Sequence, residues 1–431
     1  MSSRATNVVL SASLAACSSG ANVPGSSADG GATDATVLET GTADASTAEG
    51  SVCTGTFAAA PWSRSAKNPL VSAGSPQADA GFTLSIADPF VLHDPDDGLY
   101  KAWWSSAIGT SFTDPGSVIV LEYAESKDGV SWSVQAEPAL SSHVASGDWD
   151  YTNVETPTVV KNSAAPADRR YMLWYSGANS QVKAETQGFA WYQIGLAFSA
   201  DGKHFARLPA SESPYAGQDL GLGTGLDGLT FYWKDALPGV AGATDGLVAD
   251  PTIVFQGGLY QLWFSSYAKV PSGADAFGIS HATSSDGIHW TALKANPLGA
   301  LVGGQTPTVV WNRAACFYEM WFSRDSAADK AMVPARFFST AGYFHAISAD
   351  GETWALPSPL RDFAFDPTAA AEAYGTLFGP TALLEDGGVR LYYTAWGRGS
   401  FPPGFIVPTQ DPDAGAWPAG GISLDLATRQ K

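Results

Sequence analysis

A five-bladed β-propeller, each blade a meander of four antiparallel strands, is the architecture this sequence predicts, and three observations carry it. A strand-like segment containing proline recurs five times, as ADPFVL at 87–92, ETPTVV at 155–160, ADPTIV at 249–254, QTPTVV at 305–310 and FGPTAL at 378–383. The prolines recur with a mean period of about 73 residues, which belongs to repeated supersecondary units. Each segment is followed by an aromatic strand: KAWWSS at 101–106, MLWYSG at 172–177, QLWFSS at 261–266, EMWFSR at 319–324 and RLYYTA at 390–395. Adjacent aromatics point to opposite faces of a strand, so both faces are expected to be buried. In four repeats a third strand ends in an Asp-Gly turn: AESKDGVSW at 124–132, AFSADGKHF at 197–205, ATSSDGIHW at 282–290 and AISADGETW at 346–354. Asp-Gly is a hairpin signal, and the aromatic three residues after Gly opens a fourth strand. With little helical periodicity, such units suit a propeller better than a sandwich or solenoid.

Composition agrees with a large folded unit. Of 431 residues, 45% are hydrophobic, and 15 Trp, 15 Tyr and 21 Phe supply far more aromatic material than a disordered chain carries. The net charge of −19 makes nucleic acid and anionic membrane surfaces poor partners, since both are negative themselves.

Taken in order, the chain opens with Arg4, a mildly apolar stretch from Val8 to Ala16, and Leu-Ala-Ala-Cys at 14–17. This pattern resembles a lipoprotein signal over residues 1–17, with Cys17 lipidated and membrane contact made only through that anchor. Residues 18–52 hold no aromatic and no Lys or Arg, a composition that reads as a disordered acidic linker. The propeller itself is expected over 53–431. Cys53 and Cys316 can pair in an oxidising compartment or remain two thiols; spacing alone does not bring their Cα atoms together. GISLDLAT at 421–428 supplies a third strand for the fifth blade. Its fourth strand is expected near 62–70, because Trp62, Asn68, Pro69 and Leu70 match Trp290, Asn296, Pro297 and Leu298 in spacing.

Links from first to second strand and from third to fourth are short, whereas the other two kinds are long and emerge on one face. That face, where each first strand begins, is the expected site. At the strand entrances lie Asp88, Glu155, Asp250 and Gln305. Carboxylates gathered in one concave site can divide into a raised-pKa acid and an ionised base or nucleophile, as glycosidic-bond cleavage requires. Asp before Pro also fits a strand entrance for purely local reasons, accepting a backbone N–H. Three acids at such entrances, in a chain of only 15% charged residues, favour the site.

These motifs together resemble the five-bladed propeller glycosidases, the superfamily of arabinanases, β-xylosidases and invertases, over about residues 57–431. The resemblance implies that Asp88 is the general base or nucleophile and Asp250 the acid that tunes the site. It places the general acid in a Glu-Gly-Pro of blade four, where this chain has Gln305-Thr306-Pro307, and Glu155 is the substitute. Some members of that superfamily hold a central calcium through water and one His; no position here is assigned to it.

His281 and His345 share a column of the third strand, expected either to reach the channel or to pack between blades. No HExxH or paired His spacing suggests zinc. Trp149, Trp191, Trp233 and Tyr374 fall in the long loops, where a ring can stack on a sugar or simply pack. Asp94, Asp96 and Asp97 read as a solvated turn. Gly223, Gly225 and Gly228 satisfy GxGxxG, but no helix pattern follows, so a nucleotide site is not expected. The expectation is an exported, carbohydrate-cleaving propeller acting on an oligo- or polysaccharide, with catalytic Asp88, Glu155 and Asp250 and substrate contacts from Gln305, Trp149, His281, His345 and Tyr374. A glycan-binding propeller that has lost its acid is the rival.

Overall fold

The computed structural model describes residues 60–72, 76–77, 81–83, 85–109, 118–142, 145–183, 190–271, 273–324, 342–366, 368–369, 372, 376–385, 388–397 and 421–430. Within them the chain is β throughout apart from one four-residue α-helix, Trp233–Ala236, and short 3-10 turns. The expected signal and linker, Cys17, Cys53 and Tyr374 lie outside the described residues. Cys316 is disulfide-bonded. No described helix is long and apolar enough to cross a membrane.

Each proline segment opens the inner strand of a repeat: Ala87–Asp94, Asn153–Lys161, Asp245–Gln256, Gly304–Asn312 and Thr376–Glu385. The aromatic strands follow as Leu99–Gly109, Tyr171–Ala178, Leu259–Lys269, Phe317–Arg324 and Gly388–Gly397. Third strands are Val118–Ser126, Gln193–Ser199, Ala276–Ser284, Gly342–Ser348 and Gly421–Gln430. All pair antiparallel in that order. The hydrogen-bonded strands fall into four sheets rather than five, because a parallel bridge from Ile119 to Asn153 joins the first two repeats into one.

The Asp-Gly turns are built identically. In each, a serine (Ser126, Ser199, Ser284, Ser348) donates to the Asp carboxylate and accepts the glycine N–H, and that carboxylate caps two further backbone N–H groups. The glycines Gly129, Gly202, Gly287 and Gly351 take φ of +70° to +81°, a region that costs other residues strain. They also receive the neighbouring repeat. Trp103 donates to the carbonyl of Gly202 at 2.9 Å, Trp174 to Gly287 at 2.9 Å, Trp263 to Gly351 at 2.8 Å and Tyr392 to Gly129 at 3.0 Å. The fourth repeat's Trp321 donates instead to Asp362, which also accepts the indole of Trp62.

Inner strands follow one another around an axis. The first packs on the second, the second on the third, the third on the fourth, the fourth on the fifth and the fifth back on the first. The N-terminal segment completes the fifth repeat, with Ser63 opposite Thr428, Arg64 opposite Ala427 and Val71 opposite Leu424. Arg64 grips buried Glu372 through two hydrogen bonds of 2.6 and 2.7 Å. The Asn68 amide exchanges hydrogen bonds with the backbone of Leu426, as Asn296 does with His281 in the third repeat, so the sequence match between the two segments is a structural equivalence.

Asp94 is not part of a solvated turn: it is fully buried and accepts Lys101 and Lys161 at 2.6 Å and the Tyr171 hydroxyl at 2.5 Å. Those donors hold its carboxyl well below the usual range despite burial. The hairpin between the first two strands thereby anchors the first repeat to the second.

Candidate functional site

Every inner strand carries the same β-bulge. Ala87, Glu155, Ala249, Gln305 and Phe378 lie opposite Ser105, Ser176, Ser265, Ser323 and Thr394, yet the next paired residue on each inner strand is three positions on while its partner is two back. The extra residue precedes proline. It takes left-handed φ at Asp88 (49°), Thr156 (49°), Asp250 (53°) and Thr306 (49°), a conformation costing about 1–3 kcal/mol each where it is forced. The fifth repeat has Gly379 there.

This bulge decides which side chains meet. Asp88, Thr156, Asp250, Thr306 and Gly379, with the prolines that follow them and, in four of the repeats, the next residue, line an axial cavity of about 30 Å³. That space holds a water molecule or two and no sugar ring. The serine column ties the ring together: Ser105 accepts the N–H of Thr156 at 2.8 Å, Ser176 that of Asp250 at 2.9 Å and Ser265 that of Thr306 at 2.9 Å. Gly379 closes the circuit by donating its N–H to Asp88 at 3.1 Å.

Asp88 and Asp250 are both buried, and each keeps one carboxyl oxygen without a protein partner, Oδ2 of Asp88 and Oδ1 of Asp250. Their environments differ in donors. Asp250 takes the Ser265 hydroxyl at 2.6 Å and is eased further by the Thr306 N–H, so burial lifts it only to about 6. Asp88 has the single Gly379 donor and feels the negative fields of Asp250 and Glu155; burial first, and those fields second, push its carboxyl well above the ordinary range.

The other expected residues are placed as follows. Glu155 is buried one position off the cavity lining, where Asn153 and Tyr192 both donate to its Oε1 at 2.6 Å. Gln305 occupies the same off-register position in the fourth repeat, buried, with Oε1 unpartnered. His281 lies against Trp263 with ring centroids 4.9 Å apart, and His345 against Trp321 at 4.7 Å with Glu319 at 3.0 Å from its Nε2. Both pack between sheets and not on the cavity, because they stand directly opposite the core tryptophans. Trp149 is likewise interior: it stacks on Tyr175 and donates to the carbonyl of Asp227, leaving no exposed face for a sugar. Trp191 and Trp233 are also buried. The GxGxxG glycines serve the same loop, since a Cβ on Gly223 would strike the carbonyl of Gly147 and one on Gly225 the side chain of Asp148.

Among the described residues no group of three or more His, Cys, Asp or Glu is arranged to hold a metal. The axial cavity presents two carboxyls and no imidazole, so the calcium arrangement of the resembled superfamily does not fit these residues. Sequence reasoning missed the serine column, the Gly379 donor and Tyr192; the repeated Ser after the aromatic pair was the signal for the first.

Comparisons with known proteins bear on this fold. No family model matches the chain. Two uncharacterised proteins of Mycobacterium tuberculosis strains are 28% identical to it over 146 residues, covering 32% of this chain. The chain spans 42% of the length of those curated relatives. Among solved structures it is similar to BT0996 in its RGII complex (TM-score 0.56, 15% identity, 83% of this protein and 92% of that one). It is similar also to Zg3597, a family 117 glycoside hydrolase of Zobellia galactanivorans (TM-score 0.51, 15% identity, 86% and 90%). A third is an N-acetylgalactosamine deacetylase of F. plautii in complex with blood group B trisaccharide (TM-score 0.54, 15% identity, 87% and 95%). The chain therefore shares the all-β fold of these proteins. That a deacetylase shares it means the likeness alone does not choose a reaction.

Proposed function

We propose that the chain is a five-bladed β-propeller that binds carbohydrate over the entrance end of its axis and hydrolyses a glycosidic bond there. The observation that carries this reading is the Asp88–Asp250 pair: two buried carboxyls on one axial cavity, each with an oxygen unpartnered, in environments that separate their proton affinities. The five bulged inner strands packed head to tail support the blade count.

In this reading Asp250 ionises first and serves as base, while Asp88 retains the proton and delivers it. This reverses the roles drawn from the resemblance, for the physical reason that Asp250 takes a short hydroxyl donor from Ser265, whereas Asp88 has only the longer Gly379 N–H and feels the negative fields of Asp250 and Glu155. Glu155, held ionised by Tyr192 and Asn153, supplies negative field to Asp88; as the substitute acid drawn from the resemblance, it would instead have to carry the proton itself. The sugar rests above the mouth, since the cavity admits only water or a ring substituent. Export with a lipid anchor on Cys17 belongs to the same proposal, supported by Leu-Ala-Ala-Cys at 14–17 and by the disulfide at Cys316.

A screen of aryl-glycosides and polysaccharides, followed by kinetics on the substrate it finds, tests the reading. Asp88→Asn and Asp250→Asn are each expected to lower kcat about 10²- to 10⁴-fold with KM nearly unchanged, because proton transfer counts in the transition state. Wild-type turnover retained in both variants contradicts it. A second reading, glycan binding without turnover, is favoured by Gln305, an amide where the resemblance has its acid. Sugar binding with no hydrolysis, and hydrolysis gained in Gln305→Glu, select that reading.

A further inference from the structure

The residue before proline in each repeat lines the axial cavity, and four of the five carry a side chain: Asp88, Thr156, Asp250 and Thr306. Gly379 breaks the series. Unlike the other four it does not take left-handed φ, so backbone conformation does not call for glycine there. What calls for it is space. A Cβ on Gly379 would lie 2.5 Å from Asp88 Oδ1 and 3.2 Å from its Cγ, too close to share the place, and the Gly379 N–H donates to that same oxygen at 3.1 Å. Thr381 Oγ1 donates to the carbonyl of Pro89 and ties the fifth inner strand to the first beside it.

The third repeat shows the arrangement when a side chain precedes. Asp250 follows a repeat whose residue before proline is Thr156, with its hydroxyl hydrogen-bonded to Ser176. The Asp250 carboxyl turns to its own second strand and takes the Ser265 hydroxyl at 2.6 Å. Ser105 matches Ser265, standing opposite Ala87 as Ser265 stands opposite Ala249. It accepts the Thr156 N–H at 2.8 Å, yet its own proton meets no acceptor among the described residues, while Asp88 Oδ2 stays unpartnered. A donor suited to Asp88 thus stands idle. The altered joint leaves a second mark: Thr394, the fifth repeat's equivalent of these serines, has its buried hydroxyl without a partner.

We infer that Gly379 positions Asp88 for its part in the reaction: the missing side chain admits the carboxyl against the fifth repeat, keeps it from the Ser105 hydroxyl and so reserves it as the proton donor of the pair. The inference rests on the paired-carboxyl reading above and adds the residue that decides between the two acids. A backbone N–H at 3.1 Å favours the ionised form less than a hydroxyl at 2.6 Å does, and burial beside the fields of Asp250 and Glu155 keeps the proton on Asp88.

Gly379→Ala tests it through the titration of Asp88, followed by NMR on the full chain isotope-labelled at the Asp carboxyl carbons, with Asp88→Asn identifying the signal. The new methyl is expected to turn the carboxyl to Ser105, as Asp250 turns to Ser265, and to lower the Asp88 midpoint by about one to two pH units. Ser105→Ala added to Gly379→Ala removes that donor and is expected to raise the midpoint again. On a substrate found by the hydrolase screen, the alkaline limb of kcat/KM is expected to move with the midpoint. Should Gly379→Ala melt early, adding Asp88→Ala removes the carboxyl that the methyl strikes, and the double variant is expected to melt later than the single one. An Asp88 midpoint unmoved in Gly379→Ala, a fall that persists without Ser105, or a double variant that melts as early as the single one overturns the inference. Absence of turnover on every substrate overturns the hydrolase reading instead, and the titration still judges the role of Gly379.

Discussion

His281 shows how a single buried side chain ties the fold to pH. Its ring is enclosed beside Trp263 with neither nitrogen hydrogen-bonded, and burial lowers its pKa from 6.5 to about 4, opposed only weakly by Asp350. Because the folded ring refuses a proton that the unfolded chain accepts, this residue's share of stability is intact above pH 6.5 and is lost as pH falls toward 4. The loss is about 3 kcal/mol at most. Asp250 acts in the opposite sense, stabilising below 3.8 and losing that contribution as pH rises through about 6. The difference between wild type and His281→Leu isolates the histidine: melting curves from pH 7 to 4 are expected to converge or cross as the medium acidifies. A constant offset at every pH counts against it. At this scale the sequence was only partly legible. Asp88 and Asp250 stand one residue before proline and Glu155 and Gln305 two, an offset visible in the letters; without the bulge, nothing said that one step separates the cavity from the sheet interior.

At the level of elements, legibility was higher, because the signals are local. Ser-x-Asp-Gly specifies a turn through its own hydrogen bonds, and adjacent aromatics specify a strand buried on both faces. The pairing of a distant N-terminal strand with the last one was readable only through the Trp62 and Asn68 matches. Its energetics are now concrete: Trp62 packs edge-on against Trp321 and Phe363, and Arg64 neutralises buried Glu372. Deleting 53–70 leaves Glu372 as a buried charge without its cation and opens the fifth repeat. Differential scanning calorimetry is expected to show a fall in Tm of roughly 5–15 °C for that deletion and almost none for deletion of 18–52. Equal melting of the two truncations contradicts the closure.

For the molecule as a whole, the order of the strands within each repeat followed from periodicity, whereas the step that takes Glu155 off the cavity and the different surroundings of Asp88 and Asp250 did not. The proposed division of labour depends on the donors each carboxyl meets, the Ser265 hydroxyl at Asp250 and the Gly379 N–H at Asp88. Substitution of either acid tests whether the pair works; the pH dependence of kcat/KM tests how. With Asp250 required ionised and Asp88 required protonated, the profile is expected to be bell-shaped. Its acid limb should lie near pH 6, where the pair loses its first proton, and its alkaline limb higher, where the second leaves. In the residual activity of Asp250→Asn the acid limb is expected to disappear while the alkaline limb remains. A profile flat from pH 4 to 8, or an acid limb that persists unchanged in Asp250→Asn, would contradict the paired-carboxyl account.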